Sequence, residues 1–130
     1  MLDTYLIPPK TAVTGKGEGA VVDLSAAANR SFLLQLEITG AVEQEALEIS
    51  VYGGPDAASL GKAPVASLPQ RFYAGSYPFL VDLAGLAEVK VLRAHWEATR
   101  WGRGPAAPWF ELGLRVTEVP SELLQQRPAK

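Results

Sequence analysis

The stretch Phe110-Glu111-Leu112-Gly113-Leu114-Arg115-Val116-Thr117 decides the fold. Phe110, Leu112, Leu114 and Val116 occupy every second position, and Glu111, Gly113, Arg115 and Thr117 fill the positions between. Successive side chains of a β-strand point to opposite faces, so this pattern makes one apolar face and one wet face. A helix, at about 3.6 residues per turn, would scatter the same apolar residues around its circumference.

The same period recurs outward along the chain. Phe32-Leu33-Leu34-Gln35-Leu36-Glu37-Ile38-Thr39 places Phe32, Leu34, Leu36 and Ile38 on one face. Leu47-Glu48-Ile49-Ser50-Val51-Tyr52 repeats it and stops at the turn cluster Gly53-Gly54-Pro55-Asp56. Tyr77, Phe79, Val81 and Leu83 share a phase, and Pro78, which has no N–H to donate, confines that segment to a strand start or a sheet edge. Ala20 to Leu24 and Val65 to Leu68 read as short strands. Between Glu88 and Arg100, Leu92, Ala94 and Trp96 alternate with Arg93, His95 and Glu97, whereas Val89 and Val91 are out of phase with Leu92. That break predicts a β-bulge near Leu92 or a segment covered on both faces. A helix competes there, but the Gly/Pro loop and the strand that follow favour a hairpin.

Strands with one apolar face, separated by Gly, Pro, Asn and Asp turns, predict an all-β protein. The expected form is an antiparallel β-sandwich, jelly-roll-like or Ig-like, of about seven or eight strands. The 130 residues suit one domain. We expect an N-terminal arm and loop over 1–19, the sandwich over 20–119, and a C-terminal tail over 120–130 with one helical turn capped by Ser121. The predicted core is Phe32, Leu34, Leu36, Ile38, Ile49, Val51, Phe79, Val81, Leu92, Trp96, Phe110, Leu112, Leu114 and Val116.

The chain has no cysteine, which excludes disulfides, thiolate zinc sites and cysteine nucleophiles. A net charge of −2 gives no overall attraction to phosphate, so no nucleic-acid partner is expected. No apolar run approaches the roughly 20 residues that span a bilayer. The first ten residues lack the basic and apolar regions of a signal peptide. The expectation is a soluble protein, cytoplasmic at synthesis, without membrane association.

No catalytic constellation is expected. His95, the one histidine, sits on a polar phase between Arg93 and Glu97, and no Gly-x-Ser-x-Gly elbow accompanies it. A single histidine cannot make a histidine metal site within one chain. Glu37, Glu48, Glu97 and Glu111 fall on outward phases and read as the polar faces of antiparallel sheets. Gly15-Lys16-Gly17-Glu18-Gly19 lacks the P-loop spacing and reads as a flexible loop. No enzyme, metal or cofactor is therefore expected.

The residues that suggest binding are aromatic. Arg100-Trp101-Gly102-Arg103-Gly104-Pro105-Ala106-Ala107-Pro108-Trp109 concentrates Trp and Arg, types enriched in binding hot spots, between two strands. Arg71-Phe72-Tyr73 forms a second cluster. Closure of the core's end by the tryptophans is the competing reading. At the N-terminus, Tyr5, Leu6 and Ile7 are apolar and precede Pro8-Pro9, which favours an extended arm that either crosses to a neighbour or folds back as an edge strand. The candidate interaction residues are Tyr5, Leu6, Ile7, Tyr73, Arg100, Trp101, Arg103 and Trp109.

The rhythm Leu33-Leu34-Gln35-Leu36-Glu37-Ile38-Thr39-Gly40, the strand Val91-Leu92-Arg93-Ala94-His95-Trp96 and the closing Trp109-Phe110-Glu111-Leu112-Gly113-Leu114 resemble small β-sandwich accessory proteins of tailed bacteriophages, the head-decoration or tail-associated domains. The resemblance implies a particle-associated structural role and carries over no functional residue. Two expectations follow. One is a non-catalytic assembly protein that forms a homo-oligomer or binds a larger protein scaffold. The other is a carbohydrate-binding module using Trp101, Trp109 or Tyr73 as a stacking platform, which requires coplanar exposed rings.

Overall fold

Alternating apolar and polar residues extend the chain, and nine strands form among the described residues. These are β1 (Asp3–Val13), β2 (Lys16–Glu18), β3 (Val22–Asp23), β4 (Ser31–Ala41), β5 (Glu45–Gly54), β6 (Ala66–Ser67), β7 (Gly75–Asp82), β8 (Val91–Arg100) and β9 (Phe110–Glu118). The computed structural model describes residues 2–42, 44–61, 64–101 and 108–119. The first sheet has the order β1-β9-β4-β7. The second has the order β2-β8-β5-β6, with β3 following β2 along the same side of β8. Every pairing is antiparallel, and the two sheets pack face to face as a β-sandwich.

The core lies between the inner faces. Phe32, Leu34, Leu36 and Ile38 of β4 and Phe110, Leu112, Leu114 and Val116 of β9 meet Leu47, Ile49 and Val51 of β5 and Leu92, Ala94 and Ala98 of β8. Burying a side chain of this size is worth about 1.5–3 kcal/mol. Of the predicted core, Phe79 and Trp96 are only partly buried. Phe79 sits on the edge strand β7, and Trp96 lies over Gly17 of the edge strand β2, where a Cβ would come within 2.6 Å of the indole.

Three expectations need correction. Residues 1–19 are not a separate arm and loop, because β1 and β2 within them belong to the sandwich. Lys16 to Glu18, read as a flexible loop, pairs with Glu97 to His95. The glycines allow this, since Gly17 leaves room for the indole opposite it. Leu6 and Ile7 are not at an interaction surface, since both are fully buried in this chain's own core. Tyr5 stands opposite Arg115 and Ile7 opposite Leu114, so a bulge turns two successive residues inward. Of the two readings of the N-terminal segment, the fold-back one describes this chain. Finally, β8 keeps a regular register with β5 and has no bulge near Leu92. Val89 precedes the strand in a turn, its N–H donating to Leu86 O at 3.0 Å, and Val91 alone keeps the opposite phase, half-buried at the start of β8. The tail over 120–130 lies outside the described residues.

Both edges of the first sheet carry proline. Ser31 faces Asp82, and Leu83 N–H donates to Arg30 O at 2.7 Å. In this register the odd-numbered residues of β7 bond to β4, and the even-numbered ones, Pro78 included, turn to the open side. Pro78 thus removes a donor from the middle of that edge, as its edge assignment predicted. On β1, Pro8, Pro9 and Lys10 lie between the pairs Ile7–Leu114 and Thr11–Leu112 and face only Gly113. Lys10 there adopts φ 58°, and a Cβ at Gly113 would come within 2.7 Å of Pro9 Cα. Gly113 therefore lets this proline bulge lie flat on the sheet.

Candidate functional site

Two buried carboxylates, which the sequence reading did not single out, fix opposite ends of the sandwich. Glu45, 1% exposed, opens β5 on the inward phase of Leu47, Ile49 and Val51. Its Oε2 accepts Val42 N–H at 2.8 Å and its Oε1 accepts Trp109 N–H at 2.7 Å. Glu118, 3% exposed, continues the inward phase of Phe110, Leu112, Leu114 and Val116. It accepts the N–H of Leu2, the N–H groups of Ala28 and Asn29 at 3.1 Å, and the Asn29 amide at 2.7 Å. The Leu2 N–H, then the Asn29 amide and the remaining backbone donors, hold the Glu118 carboxyl below the usual carboxylate range against the opposing effect of burial. The signal was present in the sequence as an acid on an apolar phase.

At the Glu45 end, the two aromatic clusters come together. Leu47 and Arg71 exchange backbone hydrogen bonds of 2.8 and 3.0 Å, which ties residue 71 beside β5. The Arg71 guanidinium lies 4.2 Å from the Tyr77 ring centroid, and Tyr77 Oη donates to Tyr73 O at 2.8 Å. Trp101 N–H donates to Gln44 O at 2.9 Å, with Gln44 at φ 59°. The Phe72 ring meets that of Trp101 at 6.0 Å and 77°, and that of Tyr73 at 6.3 Å and 56°. Tyr73 is 76% and Trp101 60% exposed, and Val42 and Phe72 are exposed beside them. Two shallow hollows, of about 450 and 220 Å3, lie between these side chains.

The candidate residues therefore separate. Tyr73 and Trp101 share this patch, and Arg100, at the end of β8, is paired in register with Glu45 beneath it. Trp109 packs over Gly40, where a Cβ would come within 2.8 Å of the indole, on the side of the sheet that Glu111 occupies. Tyr5 lies toward the far end of β1, opposite Arg115, whose Nε donates to Asp3 Oδ1 at 2.7 Å and holds the Asp3 carboxyl below its usual range. Arg103 lies outside the described residues. The Phe72 ring is inclined to both Tyr73 and Trp101.

A second concavity, of about 480 Å3, lies on the outer face of the second sheet around His95. Glu18 and Ser50 stand opposite His95 on its two neighbouring strands, and Lys16 and Glu48 likewise flank Glu97. His95 Nε2 is 3.2 Å from Glu18 Oε2, yet it is out of line for a hydrogen bond and has no hydrogen-bond partner. The His95 and Tyr52 rings stack at 4.4 Å and 39°. Ser50 makes no hydrogen bond to His95, so the row Glu18–His95–Ser50 is not assembled as a relay.

No protein-family model matches the chain, and no curated protein matches it. Among the described residues, no helix is long and apolar enough to cross a membrane.

Proposed function

We propose that this protein is a non-catalytic assembly domain that associates with a second copy of itself through the aromatic end of the sandwich. The observation that carries the reading is the exposed cluster of Val42, Phe72, Tyr73 and Trp101, in which protruding rings alternate with hollows. A two-fold axis brings the same patch of each copy together, so a surface holding both a projection and a depression complements itself. Tyrosine and tryptophan supply large contact area at low entropic cost, and Glu45 and the Leu47–Arg71 bridge hold the loops in place beforehand. The proline-bearing edges of the first sheet favour a side-chain interface over one built by adding strands. A subunit repeated on a particle, as the resemblance to phage accessory domains implies, would use the same patch.

The test is solution mass by light scattering across a concentration series. The expected result is a dimer that becomes a folded monomer when Phe72 and Trp101 are both replaced by serine, with thermal stability nearly unchanged. A wild-type chain that stays monomeric at millimolar concentration would overturn the proposal.

A further inference from the structure

We infer that the concavity around His95 binds a neutral polyhydroxylated ligand, a short stretch of glycan, at a site separate from the aromatic end. Its volume of about 480 Å3 falls within the roughly 300–1,000 Å3 of small-molecule sites, and it is an open trough rather than an enclosed cavity. An open trough on a sheet suits part of a chain-like ligand.

The lining chemistry selects hydroxyl groups. Glu18, Glu48 and Glu97 offer acceptors, and ionised carboxylates can only accept. Glu48 and Glu97 stand directly opposite each other on adjacent strands, an arrangement of like charges that costs stability. A ligand rich in O–H donors relieves that cost by bonding to both. Gln70 Nε2 donates to Glu48 at 3.0 Å, and Lys16 lies 4.0 Å from Glu97 with both side chains exposed. Such a surface contact is worth little, and each carboxylate keeps oxygen lone pairs for a ligand.

His95 adds an independent observation. Its Nε2 lies 3.2 Å from Glu18 Oε2 without a hydrogen bond, and its side chain, 39% exposed, lines the trough. A ligand hydroxyl placed beside Glu18 can donate to that carboxylate while its oxygen rests against the exposed part of the imidazole. Ser50, opposite His95, both donates and accepts. Tyr52, stacked on His95, presents aromatic carbon beside these polar groups, so the trough matches the mixed C–H and O–H surface of a sugar ring.

Two other ligand classes fit less well. Three lining carboxylates against one lining cation, Lys16, disfavour an anionic glycan, and Arg93, 3.4 Å from Glu18 Oε1, is already paired with that carboxylate. A divalent cation needs its ligands to converge, and among the described residues no group of three or more His, Cys, Asp or Glu side chains is arranged to hold a metal ion. Carboxylates spread along a trough suit hydroxyls spaced along a saccharide.

The experiment is a 1H–15N NMR titration of the full chain with maltohexaose, cellohexaose, xylohexaose, mannohexaose and chitohexaose. Polygalacturonate and calcium chloride are titrated separately. At least one neutral hexaose is expected to shift the resonances of residues 16–18, 48–52 and 93–97. Glu48→Gln and Tyr52→Ala should each weaken that binding roughly tenfold or more, the loss of one good contact. Glu48→Gln should fold at least as stably as wild type, because it removes the repulsion with Glu97. Trp101→Ala should leave the titration unchanged, which separates this inference from the self-association at the other site. The inference is overturned if none of the five hexaoses shifts those resonances at millimolar concentration, or if binding survives both variants. It is equally overturned if calcium or polygalacturonate, and no neutral sugar, reproduces the shifts.

Discussion

Replacing Glu45 with alanine should destabilise the sandwich by about 2–4 kcal/mol. The carboxylate is 1% exposed and accepts two backbone N–H groups, Val42 at 2.8 Å and Trp109 at 2.7 Å. Alanine leaves both part-buried donors short of an acceptor, at about 1–2 kcal/mol each, the lower half of the range for buried groups. Glutamine keeps the shape and one carbonyl oxygen but sets its own NH2 against the other N–H, so Glu45→Gln should cost about half as much. For a chain of this length, 1 kcal/mol corresponds to roughly 3–5 °C, which puts the alanine variant about 6–20 °C below wild type. Urea unfolding followed by tryptophan fluorescence measures the difference, with an unchanged m-value as the check that only stability moved. An alanine loss below about 0.5 kcal/mol, the range of ordinary surface changes, would refute the reasoning. So would a glutamine variant as damaged as the alanine one. Because Val42 belongs to the aromatic patch, the same alanine variant should also weaken self-association.

The core and the other buried acid give two further expectations. Leu36→Ala and Leu112→Ala, both at fully buried positions, should each lose about 2–5 kcal/mol in the same urea assay. Glu118 and Asp3 have folded-state pKa values below their unfolded ones, so their contributions are complete above the ordinary carboxylate range and disappear as pH falls through the lower folded values. The stability gap between wild type and Glu118→Gln should therefore narrow as the pH is lowered through that window, and a gap constant with pH would contradict the assignment.

The strands of the core were legible because one simple period carried them. From Phe32 to Ile38 and from Phe110 to Val116 every second residue is apolar, and each of those residues is buried. Pro78 likewise announced an edge. Legibility failed where the period was locally broken or where pairing supplied the meaning. The bulge at Leu6–Ile7 buries two consecutive residues, and alternation cannot express that. Lys16 to Glu18 becomes a strand only because β8 offers it a partner, so the glycines around it read as a loop. Glu45 and Glu118 were visible on apolar phases, but all of their donors except Val42 lie far away in the chain. The meeting of Phe72 with Trp101 depends on the Leu47–Arg71 bridge, and the alignment of Glu18, His95 and Ser50 depends on three-strand register. Neither can be derived from local spacing.

The pairing of β1 with β9 has a consequence for the order in which the molecule can be made. Ile7 finds its neighbour Leu114 only after about a hundred further residues have been added. At synthesis rates of about 5–20 residues per second, the nascent chain carries Leu6 and Ile7 uncovered for roughly 5–20 s. The first sheet cannot close before β9, second in its spatial order and last in sequence among the described strands, has left the ribosome. Non-local pairing of this kind also slows folding itself, into the millisecond-to-second range. Pro8 and Pro9, directly beside the waiting Leu6 and Ile7, deny that segment two backbone donors during the interval and so hinder its premature pairing with other nascent chains.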